Sequence, residues 1–173
     1  MIDGEGFRLR RATEDDLDFL VELATHDDVE PFMAVVSPRD RGSLAEEIRL
    51  DHESPEERGH FLIEVDGEPA GVMAFELKNR RSRIAWLHGI MIHPDFRGQR
   101  LADRAATVFS RHLILDLGYH RLELEVYGFN ERALRHAERV YVREGVKRRA
   151  YRRNDEWVDG VMFGLTREDL EEA

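Results

Sequence analysis

The stretch that most constrains the fold is residues 86–113, which read WLHGIMIHPDFRGQRLADRAATVFSRHL. An apolar run typical of a strand ends before Pro94, and an amphipathic helix is predicted over about residues 99–117. The turn between them contains four polar or small residues, Arg97, Gly98, Gln99 and Arg100. The first N–H groups of a helix have no partner within it, so this turn favours an anion, and the two arginines suit pyrophosphate. A solvated basic turn without a ligand is the alternative that this stretch alone leaves open.

The order of the other patterns predicts one α/β domain with a mixed sheet. The 173 residues suffice for a single core, and residues 1–173 are expected to fold as one domain. Strand and helix patterns run in the order β-α-α-β-β-β-α-β-α-β-β. Since strands alternate with helices only in the second half, a purely parallel sheet is not expected. Hairpin turns are predicted at Asp66-Gly67 and Asn154-Asp155.

Local signals also predict the limits of two further helices. Ser43, with Glu46 three residues later, has the pattern of a capping box at a helix start. Asn130 is expected to open another helix that ends near Gly145. The strand that follows is therefore predicted to begin only after Gly145.

Composition excludes several classes of protein. The formal net charge of -10 argues against a general nucleic-acid binder, and no DNA partner is expected. One local exception is residues 147–153, KRRAYRR, with five cations. The chain has no cysteine, which excludes disulfides, a thiolate nucleophile and zinc-thiolate sites. No apolar signal core or membrane-length run is present, so we expect a cytoplasmic protein with no membrane partner.

Three segments together resemble the GCN5-related N-acetyltransferase (GNAT) superfamily: GIMIHPDFRGQRLA, LELEVYGFNERAL and REGVKRRAYRRNDEWVDGVMFGLTREDL. The resemblance covers roughly residues 6–170 and is to the branch that acetylates ribosomal-protein N-termini (RimJ/RimL-like) and its small-molecule relatives. It implies a single-domain fold with a mixed, mostly antiparallel sheet of about seven strands, a splayed centre and flanking helices. It also implies acyl transfer from acetyl-coenzyme A, or another acyl-coenzyme A, to a primary amine of a small molecule or peptide.

The resemblance assigns coenzyme contacts to three places. In this family the turn pattern Q/R-x-x-G-x-G/A wraps the pyrophosphate in backbone amides, and the strand before it receives the pantetheine arm and the thioester carbonyl. Asn130, at the head of a later helix, would also contact the coenzyme. The implied cofactor-binding residues are Met91, Ile92, Arg97, Gly98, Gln99, Arg100, Leu101, Ala102 and Asn130.

Two departures from the family pattern leave the donor open. Arg100 stands where the family has its middle glycine, and Ala137 stands where many relatives have a tyrosine that protonates the departing thiolate. A thiolate is a tolerable leaving group without an acid, so an acyl-coenzyme A donor remains the first interpretation. The second is an aminoacyl-tRNA or carrier-protein donor held by the arginines and residues 147–153. The third is a catalytically silent binding protein.

Two residues are candidates for the catalytic base. His88 lies on the predicted central strand and titrates near neutrality, and the alternative is an ordinary hydrogen-bonded histidine. Strict alternation would place it on one face with Trp86, Ile90 and Ile92, unless a bulge intervenes. Glu125 alternates with the apolar residues of LELEV, and the alternative there is a solvated carboxylate.

The resemblance implies that residues 26–36 lie beside the acceptor, and there acidic side chains that suit a cationic amine are followed by apolar ones. The candidate substrate-binding residues are Glu30, Phe32, Met33 and, on another strand, Glu76. A helix-start acidic cluster with core residues is the alternative. The histidines and acids show no metal-ligand spacing, so no metal is predicted. By resemblance, the closing hairpin is where two subunits of a homodimer would pair.

Overall fold

The computed structural model describes residues 1–32 and 40–171, in which eight strands form one sheet in the order β1-β2-β3-β4-β5-β6-β8-β7. The strands are β1 (Ile2–Gly4), β2 (Phe7–Arg11), β3 (Arg58–Val65), β4 (Glu68–Asn79), β5 (Ile84–Ile92), β6 (Arg121–Tyr127), β7 (Val142–Arg153) and β8 (Glu156–Thr166). The helices are α1 (Leu17–Thr25), α2 (Arg41–Glu53), α3 (Leu101–Arg111), α4 (Glu131–Val140) and α5 (Arg167–Glu171).

A split divides the sheet at its centre. The neighbouring strands are antiparallel except for β5 and β6, which run parallel and pair over only three positions, from Ile84–Arg121 to Trp86–Glu123. Beyond Trp86 and Glu123 the two strands continue without pairing to each other. The splayed centre and the mixed, mostly antiparallel sheet are therefore confirmed.

Helices cover both faces of the sheet and enclose two apolar clusters. Helices α1 and α2 pack over one face through a cluster that includes Leu20, Leu23, Ile48, Leu62 and Val72. Helices α3 and α4 pack over the other face through a larger cluster that includes Phe75, Leu87, Phe109, Leu124 and Ala137. The alternation in β6 follows from this arrangement, because Leu122, Leu124 and Val126 face the second cluster while the intervening residues face the α1–α2 side.

A β-bulge in β5 changes the side on which its last residues lie. Ala74 pairs with His88, whereas Val72, two residues earlier on β4, pairs with Met91, so β5 carries one extra residue. Gly89 has φ +62°, a conformation that glycine adopts without strain. Met91 therefore lies on the same face as His88, and Ile90 and Ile92 pack with the cluster under α3. Of the two alternatives for this strand, strict alternation and a bulge, the structure has the bulge.

Three other element limits differ from the predictions. The sheet has one strand more than the predicted seven because Ile2–Gly4 pairs with β2, although three residues are too short to give a pattern. Helix α2 begins after Asp40, whose side chain accepts from the Ser43 N–H, so Ser43 is not the N-cap. Helix α4 ends at Val140, and residues 142–145 already belong to β7.

Candidate active site

The two candidate bases lie on opposite walls of the split and on the same sheet face. Trp86 and Glu123 form the last pair between β5 and β6. His88 and Glu125 each lie two residues further along their strands. Because side chains alternate along a strand, both then point to the α1–α2 side. The split therefore places an imidazole and a carboxylate across from each other where the two strands diverge.

His88, on the β5 wall, is half-buried and lies against a second histidine. His60 on β3 and His88 on β5 are both paired with Ala74 of β4, so the three residues form one row across the sheet. The small side chain of Ala74 leaves room for the two imidazole rings, whose centroids are 5.9 Å apart at an interplanar angle of 83°. His88 is thus one end of a histidine pair that reaches into the protein interior.

Glu125, on the β6 wall, is buried rather than solvated. Its side chain is only 8% exposed, and its Oε2 accepts a 2.6 Å hydrogen bond from Nζ of Lys147 on β7. That hydrogen bond raises the pKa of Lys147. Burial, and then the Glu125 carboxylate, raise the pKa of the neighbouring Tyr151. The interpretation of Glu125 as a solvated carboxylate is therefore wrong.

A glycine on β8 makes room for the Glu125 carboxylate. A Cβ atom at Gly160 would lie 1.8 Å from Oε1 of Glu125 and 2.8 Å from Cε2 of Tyr151. No side chain longer than hydrogen fits there unless the carboxylate moves. The Oε1 atom is buried and has no hydrogen-bond partner in the described part of the chain.

The turn before α3 keeps the backbone shape of a glycine-rich turn despite Arg100. Arg100 is left-handed, with φ +54° and ψ +28°, and its side chain is exposed. Gly98 and Gln99 are also exposed, whereas Leu101 and Ala102 are the first residues of α3. Arg100 therefore takes the conformation that a glycine would take, at a cost of about 1 kcal/mol.

Arg97 joins this turn to the end of β5. Its Nε donates to the Ile92 carbonyl at 3.3 Å, and its guanidinium lies 3.6 Å from the Asp28 carboxylate. Burial and the nearby Arg132 lower the pKa of Arg97. Met91 and Ile92 thus end their strand directly beside an arginine.

Three arginines contact the segment before residue 33. Arg97 and Arg132 both donate to the Asp28 carbonyl, and Arg153 donates to the Pro31 carbonyl. Phe32, 38% exposed, lies 6.3 Å from the ring of Phe129, and Glu30 is exposed in the same short 3-10 turn. Met33, predicted to bind substrate, lies outside the described residues.

The remaining predicted residues are placed as follows. Glu76 is exposed and pairs across β4 and β5 with Trp86, the residue that also forms the last pair between β5 and β6. Asn130 is the N-cap of α4, and its Oδ1 accepts from the Ala133 N–H at 3.1 Å. Ala137 is fully buried, so the α4 position at which relatives have a tyrosine offers no acid here.

Sequence reasoning missed the residues that support the two candidate bases. The sequence pattern singles out neither His60 nor Asp51 nor Gly160, and it shows Lys147 and Tyr151 only as parts of a basic strand. Strand register brings His60, Lys147, Tyr151 and Gly160 to the split, and the strand residues that meet there are up to 35 positions apart in the chain. Asp51 reaches His60 from helix α2. No group of three or more metal-ligating side chains occurs in residues 1–32 and 40–171.

Comparison with known proteins identifies the family. The family model described as an acetyltransferase (GNAT) domain matches residues 7–141. The chain belongs to the GNAT acetyltransferase family. It is an acyltransferase enzyme, and no helix in the described ranges has both the length and the apolar character to cross a membrane.

Relatives of this acetyltransferase share its sequence weakly and its fold strongly. An uncharacterized N-acetyltransferase, YokL, from the SPβ prophage of Bacillus subtilis (strain 168) is 25% identical over 78% of this chain and 75% of its own length. A chimera of Vibrio cholerae spermidine N-acetyltransferase SpeG and hSSAT superposes with TM-score 0.86 at 19% identity, over 98% of this chain and 100% of that chain. The ribosomal L7/L12 N-acetyltransferase RimL, solved with coenzyme A, has TM-score 0.84 at 19% identity, over 97% and 98%.

Proposed function

We propose that this acetyltransferase N-acetylates a primary amine with acetyl-coenzyme A, or another acyl-coenzyme A, in a ternary complex. The observation that carries the proposal is the pair of proton-accepting side chains, His88 and Glu125, on the same face of the split. Membership of the GNAT family supports the acyl-coenzyme A donor, and a coenzyme A complex is known for the structural neighbour RimL. Direct attack by the amine follows because the chain has no cysteine that could form a thioester intermediate.

The two candidate bases fit the proton balance of this reaction. An amine arrives as an ammonium ion, and it must lose one proton before its nitrogen can attack the thioester carbonyl. As the new C–N bond forms and the C–S bond breaks, the nitrogen loses a second proton and the thiolate gains one. His88 is the first candidate for accepting a proton from the amine, and Glu125 the second. With Ala137 buried in place of a tyrosine, the thiolate takes its proton from solvent or from the base.

On the donor side, we assign the coenzyme to the end of β5 and the start of α3. The backbone of Met91 and Ile92 would receive the pantetheine arm, and residues 97–102 with Asn130 would hold the phosphates and the rest of the coenzyme. The left-handed backbone of Arg100 supports this assignment, since the turn keeps its shape while the side chain points to solvent.

On the acceptor side, we assign the amine to the α1–α2 face. Glu30, Glu76 and Phe32 lie on or beside this face and are exposed, and Met33 is included from the sequence. Spermidine and a protein N-terminus are the amines named for the structural neighbours. Both carry a primary ammonium group, which exposed carboxylates attract.

An aminoacyl-tRNA donor is less well supported by the basic strand. Of its five cations, Lys147 is paired with Glu125, Arg152 with Asp155, and Arg153 with a backbone carbonyl. These groups are engaged within the chain and leave Arg148 and Arg149 for a phosphate backbone. The acyl-coenzyme A donor is therefore preferred.

Calorimetry and turnover together test the proposal. Acetyl-coenzyme A should bind the natural protein with micromolar affinity, and Arg97→Ala should weaken binding about tenfold through a lost charge-assisted contact. Arg81→Ala, in the turn at the other end of β5, is the matched control and should bind normally. With spermidine or a peptide bearing a free N-terminus, release of the coenzyme thiol should fall about 100-fold in His88→Gln or Glu125→Gln.

Each failure has a separate meaning. Absence of coenzyme binding in both the natural protein and Arg100→Gly would overturn the acyl-coenzyme A donor and lead to charged tRNA and carrier proteins. Tight binding without turnover on a broad panel of amines would instead indicate a catalytically silent binding protein. Full turnover in both base variants would overturn the assignment of the two bases.

A further inference from the structure

A buried polar cluster lies behind His88, on the far side of Ala74, and the proposed reaction does not otherwise use it. Its centre is His60, which is 5% exposed in the middle of β3. Its Nδ1 is 2.7 Å from Oδ2 of Asp51, which also accepts the His60 backbone N–H at 2.8 Å. Its Nε2 lies 3.3 Å from a carboxylate oxygen of Glu47, so both ring nitrogens face carboxylates of α2.

The groups around His60 favour a protonated ring. Helix α2 supplies two carboxylates, Glu47 and Asp51, one facing each ring nitrogen, and Arg58 of β3 donates to Asp51 at 2.9 Å. An imidazolium carries an N–H on both ring nitrogens and suits this setting better than a neutral ring, which carries one. Burial acts to lower the pKa of His60, but its hydrogen bond to Asp51 and the nearby Glu47 carboxylate outweigh burial, and the net pKa is raised.

A further cation lies near this cluster. From β2, Arg11 lies near enough to Asp51 to interact with its charge, although its own hydrogen bonds go to the backbone carbonyls of Arg58 and Pro55. From β4 the residue in the row is Ala74, which has no charge. On the other wall of the split, Glu125 is paired with Lys147. His88 thus has the His60 ring as its neighbour within the row and a compensated ion pair across the split.

We propose that His60, held by Asp51 and Glu47, is a positioning residue that keeps His88 in the neutral form able to accept a proton from the amine. Two imidazolium rings 5.9 Å apart repel each other in the partly desolvated interior, so a charged His60 disfavours a charged His88. The perpendicular ring packing across Ala74 also fixes the orientation of His88. The inference rests on the proposed acyl transfer, and His60 itself does not touch the substrate.

The first test is an NMR titration of the histidine side chains in the full-length protein without ligands. In His60→Gln, whose amide can still donate to Asp51, the titration midpoint of His88 should move to higher pH by about one unit. The matched control is His112→Gln. His112 also pairs with a carboxylate, Asp116 at 2.7 Å, and packs on a β3 residue, Phe61, but lies on the other sheet face. It should leave the His88 midpoint unchanged.

The second test is the pH profile of kcat/KM. The acid limb should follow the His88 midpoint and move to higher pH in His60→Gln, while the plateau above it stays within a few-fold of the natural enzyme. A merely structural role for His60 would lower the plateau and leave the limb in place. If His60→Gln does not fold, His60→Asn serves instead, because it also removes the imidazolium and should shift the limb in the same direction.

The two measurements separate this inference from the proposed function. An unchanged His88 midpoint in a folded variant overturns the role of His60, whatever the activity. A midpoint that moves while the acid limb does not move with it also overturns the role, since His88 is then not the base. If the midpoint moves and the natural protein acetylates no amine, the proposed function fails while the coupling between the two histidines stands.

Discussion

The two walls of the split are supported in opposite ways. On β5, His88 is supported from the interior, through His60 and a carboxylate of α2 that is 4% exposed. On β6, Glu125 is supported from the outside, by a lysine whose side chain is 45% exposed on the edge strand. Buried charge networks are costly to disrupt, whereas a pair with one exposed partner contributes less to stability. Loss of the carboxylate behind the β5 wall should therefore destabilise the fold more than loss of the lysine on the β6 wall.

The largest expected effect comes from filling the space on the β6 wall. Gly160→Ala places a methyl group 1.8 Å from the Glu125 Oε1 atom, and the carboxylate must leave its position. If both proposed bases are needed, kcat/KM should fall about 100-fold, as in Glu125→Gln, with little loss of thermal stability. Gly145→Ala on β7, where an added Cβ meets no atom within 4 Å, is the control. Retention of full activity in Gly160→Ala would remove Glu125 from the site.

The next effect is on the stability of the β5 wall. Asp51→Ala leaves Arg58 and His60 without their shared carboxylate in a buried setting and should lower the free energy of unfolding by about 3 kcal/mol. Lys147→Met, which removes the partner of Glu125, should lower it less, by about 1–2 kcal/mol, because only the carboxylate of that pair is buried and the lysine side chain is 45% exposed. Urea titration measures both. Equal losses would contradict the contrast between the two walls.

The loss of stability in Asp51→Ala should also depend on pH, and this dependence sharpens the comparison of the two walls. The pKa of His60 is raised in the folded protein, so its contribution to stability is fully present below the unfolded value of about 6.5 and is lost as the pH rises through the folded pKa. The pKa of Asp51 is lowered, because hydrogen bonds from His60 and Arg58 outweigh the effect of burial. The destabilisation by Asp51→Ala should therefore be larger at pH 6 than at pH 9. A loss that is the same at both pH values would contradict a raised pKa of His60 in the folded protein.

The smallest effect concerns the turn before α3. Arg100→Gly should stabilise the free protein by about 1 kcal/mol, because glycine adopts the left-handed conformation without strain. Arg100→Ala removes the same side chain and keeps the strain, so it should not stabilise. Thermal unfolding of both variants, with and without acetyl-coenzyme A, separates the backbone contribution from that of the guanidinium. Stabilisation by alanine would mean that the side chain, and not the backbone, is the source of the strain.

Most of the fold was predictable from the sequence, and the support of the site was not. The strand before Pro94, the helix after Arg100, the alternation in β6 and both hairpin turns follow from local periodicity and turn chemistry. The bulge at Gly89 was not predictable, because a single glycine in a strand pattern does not fix the register of its neighbours. His60 and Gly160 became relevant only through pairing with other strands, and no local pattern encodes such partners.

The short pairing of β5 with β6 has a consequence for how the family varies. Beyond Trp86 and Glu123 the two strands present main-chain donors and acceptors toward the split instead of toward each other. Such groups are the same whatever side chains the strands carry, so a ligand held by them places few demands on residue identity. A chain can then replace most of its amino acids and keep the split, which fits chains that superpose closely at one identical residue in five.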